Sequence, residues 1–342
     1  LTRENTLLFV PLIILWLLVR SYPRDEAGQL GSVRKPNPGY CGAGILPTNS
    51  SEFCTLRSPN GRRIFGENIA SVAMFTLALA CVLLPVAWRN WVVGDTFALT
   101  TSQLGPNFYI GNHASADGTY TPLRWGHGHP SFERADATLL AEQSLGKQLN
   151  PGEVSHYWFH RAVEDIRASP GRWFTLIGRK CLILMNAAEI GDTEDQYTYS
   201  DWSWLLRITG YLLHWGTLLP LAAAGLFITW PRRNELGLLC LLLAGYALSV
   251  VLFYVFARYR LPMICFLIPL ACAALLNGRA WLKRKATPQI ACCVAVTVLV
   301  AAVSNWPLFN ENDFRAVTQN SIANALAKDE TRLTEAIQHY HL

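Results

Sequence analysis

Charge is what this sequence has least of. Only 15% of its 342 residues are Asp, Glu, Lys or Arg, where a soluble globular chain carries about a quarter. Hydrophobic residues make up 51%, twelve residues are Trp, and mean hydropathy is +0.20. That balance excludes a disordered chain and a soluble enzyme, and it points to a membrane protein. A cysteine framework is missing too. The nine cysteines show neither a disulfide pattern nor a Cys/His zinc spacing. Cys81, Cys240, Cys265, Cys272, Cys292 and Cys293 lie in or beside apolar runs, where cysteine acts as a small apolar residue. His156 and His160 have helical spacing, but Tyr157 stands where the metalloprotease helix needs glutamate. His127 and His129 sit in a Gly-rich turn. No metal and no cofactor are expected.

What is present is a series of apolar runs near the roughly 20 residues that a spanning helix requires. They cover 69–88, 208–230, 236–256, 261–277 and 289–306, with a shorter run at 6–19. Proline inside such runs is tolerable in a membrane. Lys and Arg concentrate in alternate loops: seven in 20–68, then Arg232 and Arg233, then Arg279, Lys283, Arg284 and Lys285. The positive-inside bias puts these loops in the cytoplasm. Cys41 and Cys54 would then be reduced, and the Asn49-Ser50-Ser51 sequon would face the wrong side for use. Residues 89–207 carry ten Lys/Arg against thirteen Asp/Glu, net −3, and fall outside with the tail from 307. The overall charge of +5 therefore reflects inner-face cations and is no argument for nucleic acid. The expectation is an all-α, multi-pass protein of the cell (inner) membrane. Its parts are 1–88 (remnant span, cytoplasmic loop, one span), 89–207 (outer region), 208–306 (four spans) and 307–342 (outer tail).

The 20–68 loop is rich in Gly, Pro, Ser and Asn, without periodicity. The outer region has punctuation enough to fold. Residues 97–101 suit a short strand, and turn signals at 105–107, 111–112 and 117–118 bracket Phe108-Tyr109-Ile110. Residues 131–145 look helical. Asn150-Pro151-Gly152-Glu153 reads as cap, first-turn proline and acid, opening a helix to about Ala168. The next segment, 170–188, is apolar on one side but carries Arg179 and Lys180 at its middle. Two cations there are costly in a span and acceptable in a helix lying on the outer interface. Asp201-Trp202-Ser203-Trp204 looks like an aromatic-belt entry to the following span. The chain begins at Leu1 and ends within a patterned helix, so a piece cut at both ends is expected.

Three clusters carry candidate chemistry. Arg258-Tyr259-Arg260 joins two spans on the outer side, against the positive-inside bias. Two guanidiniums at that depth suit a lipid phosphate, although snorkelling to bulk headgroups accounts for them equally. Glu189, Asp192, Glu194 and Asp195 put four acids in seven residues. They suit a general base or acceptor-orienting groups, and helix capping or a solvated turn explains them as well. The stretch 111–120, with Asn112, Asp117 and Tyr120 near Tyr109, has the amide and aromatic groups of a sugar-binding loop. Its glycines and asparagine are also ordinary turn formers.

Several stretches, in order, resemble the C-terminal half of the polytopic GT-C type glycosyltransferases. More narrowly, they are similar to the bacterial family 39-like enzymes related to protein mannosyltransferases and aminoarabinose transferases. The stretches are LTREN (1–5), LPVAWRNWVVGD (84–95), NFYIGNHASADGTY (107–120), ERADATLLAEQSLG (133–146), PGEVSHYWFHRAV (151–163), NAAEIGDTEDQY (186–197) and FARYRLP (256–262). Departures are the 20–68 loop and Glu4, where the family often has proline. The resemblance implies a GT-C-like helical bundle with an outer-face active site. A polyprenyl-phosphate sugar would be the donor, a hydroxyl the acceptor, and a carboxylate the base, with inversion at the anomeric carbon. It implies donor-phosphate contacts from Arg258, Tyr259 and Arg260. Asn112, Asp117, Tyr120, Glu189, Asp192 and Asp195 would meet the substrates. In that family the catalytic acid lies in a first outer loop near the N-terminus, which this chain lacks, so no catalytic residue is assigned and no independent catalysis is expected.

The tail 320–342 places Ala325, Leu326, Leu333, Ala336, Ile337 and Tyr340 in the helix-turn-helix pattern of a tetratricopeptide repeat. Some family members continue into such repeats, which bind protein partners. A lone amphipathic helix fits the same residues. Two other classes share the main features: an O-antigen ligase or polymerase acting on a lipid carrier, and a non-enzymatic membrane scaffold presenting these repeats. A transporter fits less well, because the spans are almost purely apolar.

Overall fold

Long apolar runs without water to satisfy their backbone must close their hydrogen bonds internally, and helix is the economical way. In the computed structural model, residues 7–19, 61–94, 99, 101–124, 127, 130–192, 194–284 and 286–341 are described. Helices dominate, and no strand occurs among the described residues. The strand expected at 97–101 falls mostly outside them; Leu99 and Thr101, which are described, are irregular. The 20–68 loop up to residue 60, with Cys41, Cys54 and the sequon, also lies outside the described residues, as do His129 and Lys285.

The chain divides into two compact units, Ile14–Cys81 and a larger one made of Leu1–Ile13 with Val82–Leu342. Most of helices α1 (Phe9–Val19) and α2 (Gly61–Gly94) belongs to the first. There Asn68 is buried and its amide donates to the Leu18 carbonyl at 3.1 Å. Four apolar helical stretches are long enough to cross a membrane: Asn68–Val93, Trp204–Leu252, Ala257–Arg284 and Thr287–Ser304.

In the larger unit the helices of residues 89–207 come first. These are α3 (Leu104–Asn112), α4 (Pro130–Leu145), α5 (Pro151–Ala168) and α6 (Pro170–Met185). α5 starts with the expected capping box, in which Asn150 and Glu153 exchange side-chain-to-backbone bonds at 2.9 Å each. α3 is a correction, because the glycine and proline read as turns lie inside a helix. Gly105 sits there because an added Cβ would lie 1.7 Å from the Ser155 carbonyl oxygen of α5. Close backbone approach, not a turn, demands this glycine.

The stretch from Trp204 spans 49 residues, which as one helix would run about 74 Å against a hydrocarbon core of about 30 Å. It is broken instead. After α7 (Gln196–Ser200) come α8 (Trp204–Leu212), α9 (Trp215–Thr229), a 3-10 turn (Trp230–Arg232) and α10 (Arg233–Leu252). The expected 208–230 span thus has its first residues in a separate helix, because the ladder stops at Leu213 and His214 caps Gly216 N–H at 3.2 Å. α11 (Ala257–Arg284) and α12 (Thr287–Ser304) follow. Residues 258–260, read as a loop, form the first turn of α11; the connection is 253–256.

Hydrogen bonds show that α9 to α12 alternate in direction. Gly216 at the start of α9 accepts from Asn305 Nδ2 at 3.0 Å, and Ala187 N–H donates to Ser304 O at 2.6 Å. Leu252 at the end of α10 accepts from Asn112 Nδ2 at 2.8 Å, and Ala257 N–H donates to Ile190 O at 3.0 Å. The start of α9, the end of α10, the start of α11 and the end of α12 therefore share one end. At the other end lie the 3-10 turn and the α11–α12 turn, with Arg232, Arg233, Arg279, Lys283 and Arg284 all exposed. α9 packs along both α11 and α12. A Cβ on Gly225 would meet Leu270 O at 1.7 Å, so α9 and α11 touch backbone to backbone, the small-residue contact common between membrane helices. The core gathers Ile183, Trp215, Val250, Phe256, Met263 and Leu267. In the tail, α13 (Glu311–Leu326) and α14 (Leu333–His341) pack together, burying Ala323 and Ala336.

Candidate functional site

The segment 186–190 leaves α6 and crosses the shared end of the helices as a strap. Asn186 Nδ2 donates to Trp306 O at 2.7 Å, its Oδ1 accepts from Ala188 N–H at 3.0 Å, and Glu189 N–H donates to Tyr197 Oη at 2.9 Å. Arg260 rises from α11 into this strap. Its two Nη atoms donate to Asn186 O, Ala188 O and, at 2.8 Å, Glu189 Oε2. The guanidinium lies 5.1 Å from the Trp215 ring centroid, and Nε has no protein acceptor. The residue is 2% exposed. Arg260 thus holds the strap and reaches no open surface, while Glu189, its partner, is 23% exposed.

Arg258, two positions earlier, is different. Its side chain is 44% exposed and forms an ion pair with Asp192. The guanidinium sits 5.3 Å from the ring centroids of both Phe256 and Tyr259, a cation–π arrangement that fixes an otherwise floppy side chain. Tyr259 Oη lies 3.5 Å from Tyr254 Oη, which reaches Asn107 Oδ1 at 3.2 Å. Tyr120 packs edge-on to Tyr254, centroids 5.5 Å apart. Burial, then the nearby Glu133 carboxylate, pushes the Tyr120 phenol well above its usual range. Burial, then Tyr259, does the same to Tyr254. These phenols stay protonated as donors, with Glu133 as an acceptor beside them. Behind them, the crevice between Asn107, Tyr120, Glu133 and Asp136 holds about 10 Å³, the room of about one water.

Asn112 is fully buried and its amide is fully engaged. Nδ2 donates to Phe108 O and Leu252 O, both at 2.8 Å, while Oδ1 accepts from Trp173 Nε1 at 2.9 Å and Lys180 Nζ at 3.1 Å. Lys180, expected on a solvated face, is fully buried, whereas Arg179 is exposed. Burial, reinforced by the Arg172 charge, lowers the Lys180 ammonium to about 7. Asp117 is exposed and holds its own turn by accepting from Thr119 N–H and Oγ1, both at 2.8 Å. Asp195 caps α7, accepting from Thr198 N–H and Oγ1 at 2.8 Å each. Burial works against its charge, but hydrogen bonds from Thr318 and Thr198 hold its carboxyl below the usual value. Glu194 accepts from Tyr199 Oη at 2.7 Å.

Of the expected site residues, the structure brings Arg258, Tyr259, Asp192 and Tyr120 to one neighbourhood. Asn112, Asp117, Glu189, Asp195 and Arg260 are engaged elsewhere in the scaffold. Glu133, Asn107 and Tyr254 join the site without having been singled out for it; Tyr254, at the foot of a span, carries the one signal available, a polar aromatic where an apolar run ends. The rings of His156 and His160 lie 5.1 Å apart, and no group of three or more metal-ligating side chains occurs among the described residues. Compared with family models, characterised proteins and solved structures, the chain matches none.

Proposed function

We propose that this chain is part of a membrane glycosyltransferase that moves a sugar from a polyprenyl-phosphate donor to an acceptor hydroxyl at the outer face of the cell membrane. The end carrying the strap would face outward, and the turns bearing Arg232, Arg233, Arg279, Lys283 and Arg284 would face the cytoplasm, following the positive-inside bias. The observation that carries the reading is Arg258. Its partly exposed guanidinium stands at the membrane end of α11, is held by two aromatic rings and Asp192, and lies beside a cluster of protonated phenols. A polyprenyl phosphate presents its charge at that depth. Arginine forks onto phosphate oxygens, and a fixed cation stabilises charge growing on a leaving phosphate. Asp192 would then serve as the group that Arg258 exchanges for the donor, and Arg260 as the residue that positions the strap. The ordered motifs in the sequence support the same reading.

The test is sugar transfer from polyprenyl phosphate by purified protein containing this chain. Arg258→Ala is expected to lower turnover at least tenfold, the order of a lost charge-stabilising contact, at unchanged abundance, with partial rescue by Arg258→Lys. Equal turnover in wild type and Arg258→Ala ends the proposal. A second reading, a scaffold presenting tetratricopeptide repeats to protein partners, is favoured by one observation. α13 and α14 form an antiparallel pair in which His339 Nδ1 meets Gln319 Oε1 at 2.6 Å and Tyr340 Oη donates to Asn324 Oδ1 at 2.7 Å. Transfer activity distinguishes the two.

A further inference from the structure

α8 has the strongest segregation of apolar and polar residues of any helix in the larger unit, yet no residue of it is buried. Trp204, Leu205, Ile208 and Leu212 fall on one face at helical spacing, between 48% and 73% exposed. Trp202 and Leu213 extend the same surface at 63% and 80%. An apolar face of this size is not left in water. Two facts say what covers it. The chain passes from α8 into α9, part of an apolar stretch long enough to cross a membrane, with only Leu213 and His214 between them. And Arg207, the one charged residue of α8, lies off that face, beside Leu206 and Gly210.

This side of α8 borders a cavity of about 280 Å³ between α7, α8 and α13, lined by Tyr197, Ser200, Asp201, Arg207, Tyr211 and Arg315 among others. Arg315 forms an ion pair with Asp201. Arg207 has no carboxylate partner among the described residues. It makes only long hydrogen bonds to the Ser200 and Asp201 carbonyls, 3.3 and 3.4 Å. Of the two guanidiniums lining the cavity, Arg207 is the one not paired with the Asp201 carboxylate. Ser200 Oγ donates to Tyr197 O at 2.7 Å, and the Tyr211 hydroxyl stands beside the cavity as a further donor.

We propose that α8 lies along the membrane surface with Trp204, Leu205, Ile208 and Leu212 among acyl chains, and that the cavity at Arg207 takes the phosphate of an anionic phospholipid. The apolar face and Arg207 lie on different sides of one helix, about 10 Å across, so the face can enter the acyl boundary while the cation stays at headgroup level. The site is separate from Arg258 and does not depend on sugar transfer.

The experiment uses the protein in liposomes of phosphatidylcholine and phosphatidylglycerol. With the photoreactive benzoylphenylalanine placed at Ile208, irradiation is expected to give adducts with the mass of a phospholipid. Adducts to protein alone, or none, overturn the membrane position. Native mass spectrometry then counts tightly held lipid. Arg207→Gln is expected to retain about fivefold less phosphatidylglycerol, the effect of one basic residue near an anionic surface, with phosphatidylcholine unchanged and Arg207→Lys close to wild type. Equal phosphatidylglycerol in wild type and Arg207→Gln overturns the headgroup site. So does displacement of the lipid by free glycerol phosphate, which would make the cavity a site for a soluble phosphate.

Discussion

The two ends of the α9–α12 helices use the same residue type in opposite ways. At one end Arg260 is sealed under the strap with three acceptors and an aromatic ring. At the other, Arg232, Arg233, Arg279 and Arg284 are all exposed beside short turns. Exposed cations hold little together, since solvent screens them. A buried guanidinium is another matter, because every carbonyl and carboxylate it satisfies is orphaned when it goes. One end of the bundle is tied by polar bonds across many helices. The other shows only local hydrogen bonds among the described residues.

Replacing Arg260 by alanine breaks this contrast at its strongest point. It is expected to destabilise the protein by about 3 kcal/mol, the scale of a broken buried pair with some relief because the Glu189 side chain is 23% exposed. Arg232→Ala should change stability by less than about 0.5 kcal/mol. Unfolding midpoints of the two variants in detergent check both values. Equal effects would show that the strap end is no more tied than the other.

Gly225→Ala asks whether helix contact matters independently of the strap. Its new methyl collides with Leu270 O, so α9 and α11 must part. A loss of about 2 kcal/mol is expected, adding to that of Arg260→Ala in the double variant because the sites are distant. The same midpoints, measured on the double variant, decide.

Taken one pH unit at a time, the smallest effect is a pH slope. Lys180 has a folded value of about 7 against an unfolded value near 10.4. Between these values the unfolded chain binds the extra proton, so stability rises with pH through this window. Below pH 7 the full burden of burying the charge is felt. The rise is at most about 1.4 kcal/mol per pH unit. Denaturation between pH 7 and 10 should show it in wild type and in Lys283→Met, and a flatter profile in Lys180→Met.

Much of this fold was written in the apolar runs. The helices α9 to α12, the capped start of α5 and the start of α6 follow from hydropathy, proline and capping residues, whereas 186–188, expected to continue α6, belong to the strap. The break at Leu213 did not, because no proline or glycine marks it; a histidine cap ends the apolar run from within. The site was legible only in part, for a geometric reason. Arg258 and Arg260 are two positions apart on α11, about 200° around the helix, so one is partly exposed while the other enters the core. Arg179 and Lys180 divide in the same way. Adjacent charges read as one surface until the helix phase is imposed on them. Asn112 looked like a loop residue because the glycines around it signalled turns, when they mark close helix approach instead.

The strap also has a place in time. Its partners lie far along the chain: Arg260 is 74 residues beyond Asn186, Trp306 is 120 beyond it, and Thr318 is 123 beyond Asp195. A chain made from its N-terminus completes residues 186–190 while α11 and α12, whose ends satisfy them, are still unmade. The polar groups of that segment must wait in water until α11 and α12 have been inserted and their ends have come back to meet them. The bonds that tie this end consequently cannot form before α11 and α12 have been made.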